Sequence, residues 1–128
     1  MKNLSITERR RGSVVILDLN GKIIFGEDSS NLHKALRLLV EKGEKKILLN
    51  FTNVSYIDSS GLGELVGGYV ATGRIEGKIK LLNLSKNVIE LIECTRLSTI
   101  FDIYDDETKA IRSFRKQRAK SVAVSQTA

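Results

Sequence analysis

The spacing of apolar residues changes period several times along the chain, and each change marks an element. Leu4 and Ile6 alternate loosely with polar neighbours and predict an edge strand over residues 4–9. After the turn-prone Gly12-Ser13, the run Val14-Val15-Ile16-Leu17-Asp18-Leu19 is apolar at nearly every position, the pattern of a strand covered on both faces. Asn20-Gly21 is a strong hairpin dipeptide, so Lys22-Ile23-Ile24-Phe25 reads as a returning strand. From Asp28 and Ser29 the period becomes 3.6. Leu32, Ala35, Leu36, Leu39 and Val40 form one helix face, and Gly43 stops it.

Lys46 to Phe51 reads as a short central strand, followed by a polar stretch from Thr52 to Ser55 and then Tyr56-Ile57-Asp58. A second helical stripe, Leu62, Leu65, Val66, Tyr69 and Val70, should end near Gly73. Lys78 to Asn83 predicts another strand, and Ser85 caps a short helix bearing Val88, Leu91 and Ile92. Ile100 to Tyr104 is the last predicted strand. Asp105 or Asp106 then starts a helix with Ala110, Ile111 and Phe114 on its apolar side. Past about Lys116 the period fades, and residues 121–128 have the small, polar composition of a frayed end.

Repeated strand–helix alternation implies an α/β layer fold with at least part of the sheet parallel. The 128 residues suit a single core, and neither an internal repeat nor a linker divides them. The expected organisation is one domain over residues 1–116 and a basic, disordered tail over 117–128.

Charge refines this picture. There are 21 basic and 15 acidic residues, a net charge of +6. Six of the basic residues, Lys109, Arg112, Arg115, Lys116, Arg118 and Lys120, fall in positions 109–128, which hold no acid. The first 108 residues are therefore balanced, and the excess is read as a property of the C-terminal stretch rather than of a nucleic-acid-binding fold. The lone Cys94 excludes an internal disulfide and a cysteine-cage zinc site, and the lone His33 leaves no histidine metal site. His33 lies beside its helix stripe and reads as an exposed helical residue. No run reaches the ~20 apolar residues of a membrane span, and no signal peptide is visible. A cytoplasmic location is expected, with no membrane insertion and no cofactor; a monomer is favoured.

The segment richest in chemistry is Ile57-Asp58-Ser59-Ser60-Gly61-Leu62-Gly63, between a buried strand and an amphipathic helix. That junction is the carboxyl end of a central strand, where sites gather in such folds. A serine nucleophile on a strand–helix elbow needs G-x-S-x-G, but Ile57 occupies the first glycine position. Gly61-Leu62-Gly63-Glu64-Leu65-Val66-Gly67 is one residue too long for a dinucleotide fingerprint. Gly68 to Ile75 has P-loop spacing but carries Arg74 and Ile75 where Lys and Ser or Thr are required. Two readings stay open on the residues alone. In one, Asp58 and Ser59 simply cap the helix. In the other, Ser59 is a regulatory phosphoacceptor, whose phosphate would be accommodated by the helix N-terminus while opposing a docked partner.

Tyr56-Ile57-Asp58-Ser59-Ser60-Gly61-Leu62-Gly63, following the strand Ile47 to Phe51, resembles the signature of the STAS domain in bacterial anti-sigma factor antagonists. The resemblance extends over roughly residues 4–115, including the Leu19-Asn20-Gly21 turn and Leu81-Leu82-Asn83-Leu84-Ser85. It implies a mixed sheet of four to five strands with about four helices packed mainly on one face. It also implies a binding module, not an enzyme: the unphosphorylated form binds an anti-sigma factor serine kinase and frees a sigma factor. Ser59 becomes the phosphoacceptor, with Asp58, Ser60, Gly61, Leu62 and Gly63 on the partner surface, and a cognate phosphatase reverses the modification. The chain departs from the family after Gly21, where Lys22-Ile23-Ile24-Phe25-Gly26 replaces an acidic, polar stretch and Glu27-Asp28 is displaced toward the helix. A kinase-independent STAS module, binding a nucleotide or scaffolding a signalling or lipid-transport assembly, is the alternative.

Overall fold

The structure is a computed structural model that describes residues 3–115. Its centre is a five-stranded sheet in the order β1-β2-β3-β4-β5, with β1 (Ser5–Arg11), β2 (Val14–Ile23), β3 (Lys46–Ile57), β4 (Lys78–Leu82) and β5 (Ile103–Tyr104). Only the β1–β2 pair is antiparallel. Helices α1 (Glu27–Glu41), α2 (Ser59–Arg74) and α3 (Lys86–Cys94) connect the parallel strands. Because successive crossovers step in one direction along the sheet, all three helices fall on the same face. A fourth helix, α4, occupies residues 107–115, with Asp106 accepting the Lys109 amide at 2.9 Å as its cap.

The continuous apolar runs are explained by two cores. Val15, Leu17, Leu19, Ile47, Leu49, Phe51, Ile79 and Leu81 point to the α1–α3 face, where Leu32, Leu36, Leu39, Leu62, Leu65, Val88 and Ile92 cover them. Val14, Ile16, Leu48 and Leu82 point the other way, under Ala110 and Phe114 of α4. The second face is less apolar. Asp18 and Asn50 lie there in a hydrogen-bonded chain, with Arg9 gripping Asp18 at 2.6 Å and also binding Glu107 at the start of α4. Buried Lys80 donates to Ser113 of α4 at 2.8 Å and sits 4.8 Å from the centre of the Phe114 ring. Thus α4 is held by charge and by packing together.

Three expectations need correction. Asn20-Gly21 makes no hairpin: β2 runs straight through it to Ile23, still paired with β3, and the hairpin turn is at Gly12-Ser13. The positive φ of Gly21, 122°, serves instead at an irregularity in the β2–β3 register, beside the backbone of Asn3 and Leu4. Second, β3 does not end at Phe51 but continues through the polar stretch to Ile57, because Phe51, Val54 and Ile57 stay buried while the residues between face solvent. Third, the last strand has only two residues, and Leu97–Thr99 forms a 3-10 turn before it. The proposed tail, 117–128, lies outside the described residues. Lys109, Arg112 and Arg115, counted above with the basic C-terminal stretch, belong to α4 instead.

Candidate functional site

β2 and β3 end side by side at Ile23 and Ile57, and the chain turns from each into a helix. Asp58 sits where these turns meet. Its amide donates to the Ile23 carbonyl at 3.1 Å, and its own carbonyl receives the Leu62 amide at 3.0 Å as the first bond of α2. One carboxylate oxygen accepts the amides of Ser60 and Gly61 at 2.9 and 3.1 Å, and the other accepts the Phe25 amide at 2.9 Å. Asp58 is therefore both the N-cap of α2 and the tether of the β2–α1 loop. Partial desolvation pushes its pKa up, but the amides of Phe25, Gly61 and Ser60 outweigh it and hold the group below the usual carboxylate range.

Ser59, the first residue of α2, is exposed. Ser60 is half-buried, and Gly63 is exposed with open space around it. Gly61 and Leu62 face inward. A Cβ on Gly61 would lie 2.5 Å from Ile57 Cγ1 and 2.8 Å from the Ile23 carbonyl oxygen, so only glycine lets α2 start this close to the strand ends. Gly68 repeats the device two turns later, where a Cβ would lie 2.7 Å from Leu36 Cδ1. Of the expected surface residues, Gly61 and Leu62 thus shape the loop from below, while Ser59, Ser60 and Gly63 present it.

Two neighbours escaped the sequence reading. Phe25 is 82% exposed although its amide is tied to Asp58, and Ile24 beside it is also exposed. The exposed apolar pair was visible in the sequence only as part of a supposed strand. His33 of α1 is exposed, as expected, but its Nδ1 lies 2.7 Å from Glu64 Oε1 of α2, linking the two helices next to the Ser59 loop. Asp28, displaced relative to the family pattern, is buried and accepts the Leu4 amide at 2.8 Å, so it secures the N-terminal segment and does not add an acid to the surface. Among the described residues no group of acids, histidines and cysteines could hold a metal ion. No described helix is long and apolar enough to cross a membrane.

A mixed five-stranded sheet with three helices on one face and α4 on the other, carrying an exposed serine on a tethered, capped loop, is the architecture of a STAS-type domain. The STAS domain family model matches residues 5–110, and the chain belongs to that family. An anti-sigma-B factor antagonist of Listeria monocytogenes is 34% identical over 105 residues, spanning 82% of this chain and 92% of that protein. The anti-sigma-B factor antagonist of Bacillus subtilis is 30% identical over 101 residues, covering 79% and 91%. A crystal structure described as a candidate anti-sigma factor antagonist from Thermotoga maritima superposes with a TM-score of 0.76 at 26% identity, covering 86% of this chain and 94% of that one. These relatives are regulatory proteins, and they support a general partner-switching role.

Proposed function

We propose that this protein is a phosphorylation-switched antagonist of an anti-sigma factor that is also a serine kinase. The unphosphorylated chain docks the kinase and frees a sigma factor; phosphate on Ser59 ends docking, and a phosphatase restores it. The chain acts in the cytoplasm as a binding module without catalysis of its own, through a domain over 1–116 followed by a basic tail. The observation that carries the reading is the exposed Ser59 directly after an Asp58 whose carboxylate is wholly engaged.

That engagement sharpens the electrostatics. The helix N-terminus is expected from the sequence to accommodate a phosphate, but its Ser60 and Gly61 amides are already bound by Asp58. A phosphate on Ser59, carrying about −1.5 to −2 charges, would stay on the outside of the loop beside an ionised carboxylate. The fold keeps its cap, and a partner approaching Ser59, Ser60 and Gly63 meets added negative charge that it must desolvate. Ile24 and Phe25 supply the apolar part of the same surface, in keeping with aromatic anchors at interface centres.

The test is a pair of variants assayed with the kinase that co-purifies with the chain from its own cells. Ser59→Ala should bind it persistently and accept no phosphate, and Ser59→Asp should bind poorly. Phosphate uptake by Ser59→Ala at the normal rate would show that the acceptor lies elsewhere.

A further inference from the structure

At the end of the sheet opposite Ser59, the β1–β2 turn, the start of β3 and α4 border a half-open cavity of about 240 Å³. Arg11, Lys46, Arg115 and the Ser13 hydroxyl line its polar side, Val14 and Phe114 line its apolar side, and among the described residues no carboxylate lines it. The charges there are unequal. Arg11 donates to Glu107 at 2.8 Å, and Glu107 with Asp18 also neutralises Arg9, so two arginines meet two acids. Lys46 and Arg115 have no carboxylate within ion-pair distance among the described residues. Two positive charges are left facing one space. Lys46 donates to Ser13 Oγ at 3.0 Å, which fixes the ammonium at the rim while leaving its other protons and the serine proton to donate outward.

We infer that this cavity binds a small phosphate monoester, with the phosphate between Lys46, Arg115 and Ser13 and a compact apolar body against Val14 and Phe114. The charge count selects the class: a monoester near neutral pH carries about −1.5 to −2 charges, matching two cations, whereas a carboxylate would leave one unmatched. Size limits the body, because the volume falls below the ~300–1,000 Å³ typical of sites for drug-sized ligands. Nothing in this site depends on Ser59.

Phenyl phosphate titrated into the full chain, followed by backbone amide NMR, tests the assignment. Saturable shifts centred on Gly12, Ser13, Lys46 and Arg115 are expected, with a dissociation constant in the millimolar range or tighter. Benzoate and inorganic phosphate should each bind more weakly. Lys46→Met and Arg115→Gln should each weaken phenyl phosphate about tenfold with an unchanged urea midpoint, and Ser59→Ala should bind as the parent does. Absence of saturation, or unaltered affinity in both variants, would overturn the site. Equal binding of inorganic phosphate and phenyl phosphate would also overturn it, the cavity then holding an adventitious ion only. The comparison of the three ligands needs no variant, so a substitution that unfolds the chain cannot shield the assignment.

Discussion

The two ends of the sheet handle charge in opposite ways. At the carboxyl end, Asp58 spends both carboxylate oxygens on backbone amides, and the surface around it includes Ser59, Gly63 and the exposed Ile24 and Phe25. At the amino end, acids and bases meet in a chain through Arg9, Asp18, Arg11 and Glu107, yet among the described residues Lys46 and Arg115, beside a cavity, have no carboxylate partner. Where the carboxylate beside the serine is already engaged by backbone amides, a phosphate on Ser59 adds new negative charge to the surface. A surface with standing positive charge instead favours an anion brought from outside. The contrast also relocates the net charge of the chain, since Arg115 works on α4 at the amino end of the sheet.

Substitutions can break each end separately. Gly61→Ala should have the largest effect on stability, about 2–3 kcal/mol by urea unfolding, because the new methyl meets Ile57 and the Ile23 carbonyl. Gly63→Ala, two residues on and in open space, should be neutral or stabilising by about 0.5 kcal/mol. Next, Asp58→Ala should cost about 1–2 kcal/mol through the lost cap and release the Phe25 loop. Asp58→Asn should cost less, since its amide oxygen can still cap α2 while its NH2 cannot accept from Phe25. Faster amide exchange at Phe25 than at Gly61 in that variant would separate the two roles.

At the other end, Glu107→Gln should loosen α4 by about 1–2 kcal/mol, a figure discounted for the partial exposure of the pair. The hydrogen bond from Arg9 leads, with Arg11 assisting, in holding Glu107 down from its ordinary 4.5 to about 2. Its folded-state value is the lower one, so its stabilisation is complete above about pH 4.5 and is lost as pH falls toward 2. Urea midpoints across that window should decline in the parent and be flatter in Glu107→Gln. The smallest change in stability, within about 0.5 kcal/mol, belongs to Ser59→Ala and Ser59→Asp, whose consequences should appear in partner binding alone.

Much of this was legible in the residues. The stripes of α1 and α3 and the caps at Asp58, Ser85 and Asp106 are local properties, decided within one or two turns of chain. What escaped was set by neighbours distant in sequence. Asn20-Gly21 has hairpin chemistry, but pairing with β1 on one side and β3 on the other holds β2 extended through it. The buried face of α2 lies over Leu65, Gly68, Ala71 and Thr72 and leaves Val70 exposed, because small residues admit close approach where periodicity alone favours large ones. Likewise the Asp58-Ser59 motif located the candidate site, but no local pattern disclosed that Asp58 holds Phe25, thirty-three residues earlier.

The most direct test of the central claim is the mass of the protein isolated from its own cells, before and after phosphatase treatment, with any modification located by fragmentation. A single phosphate on Ser59 that phosphatase removes and that Ser59→Ala lacks is expected. Phosphate on another residue, or equal phosphate on the Ser59→Ala chain, would contradict it.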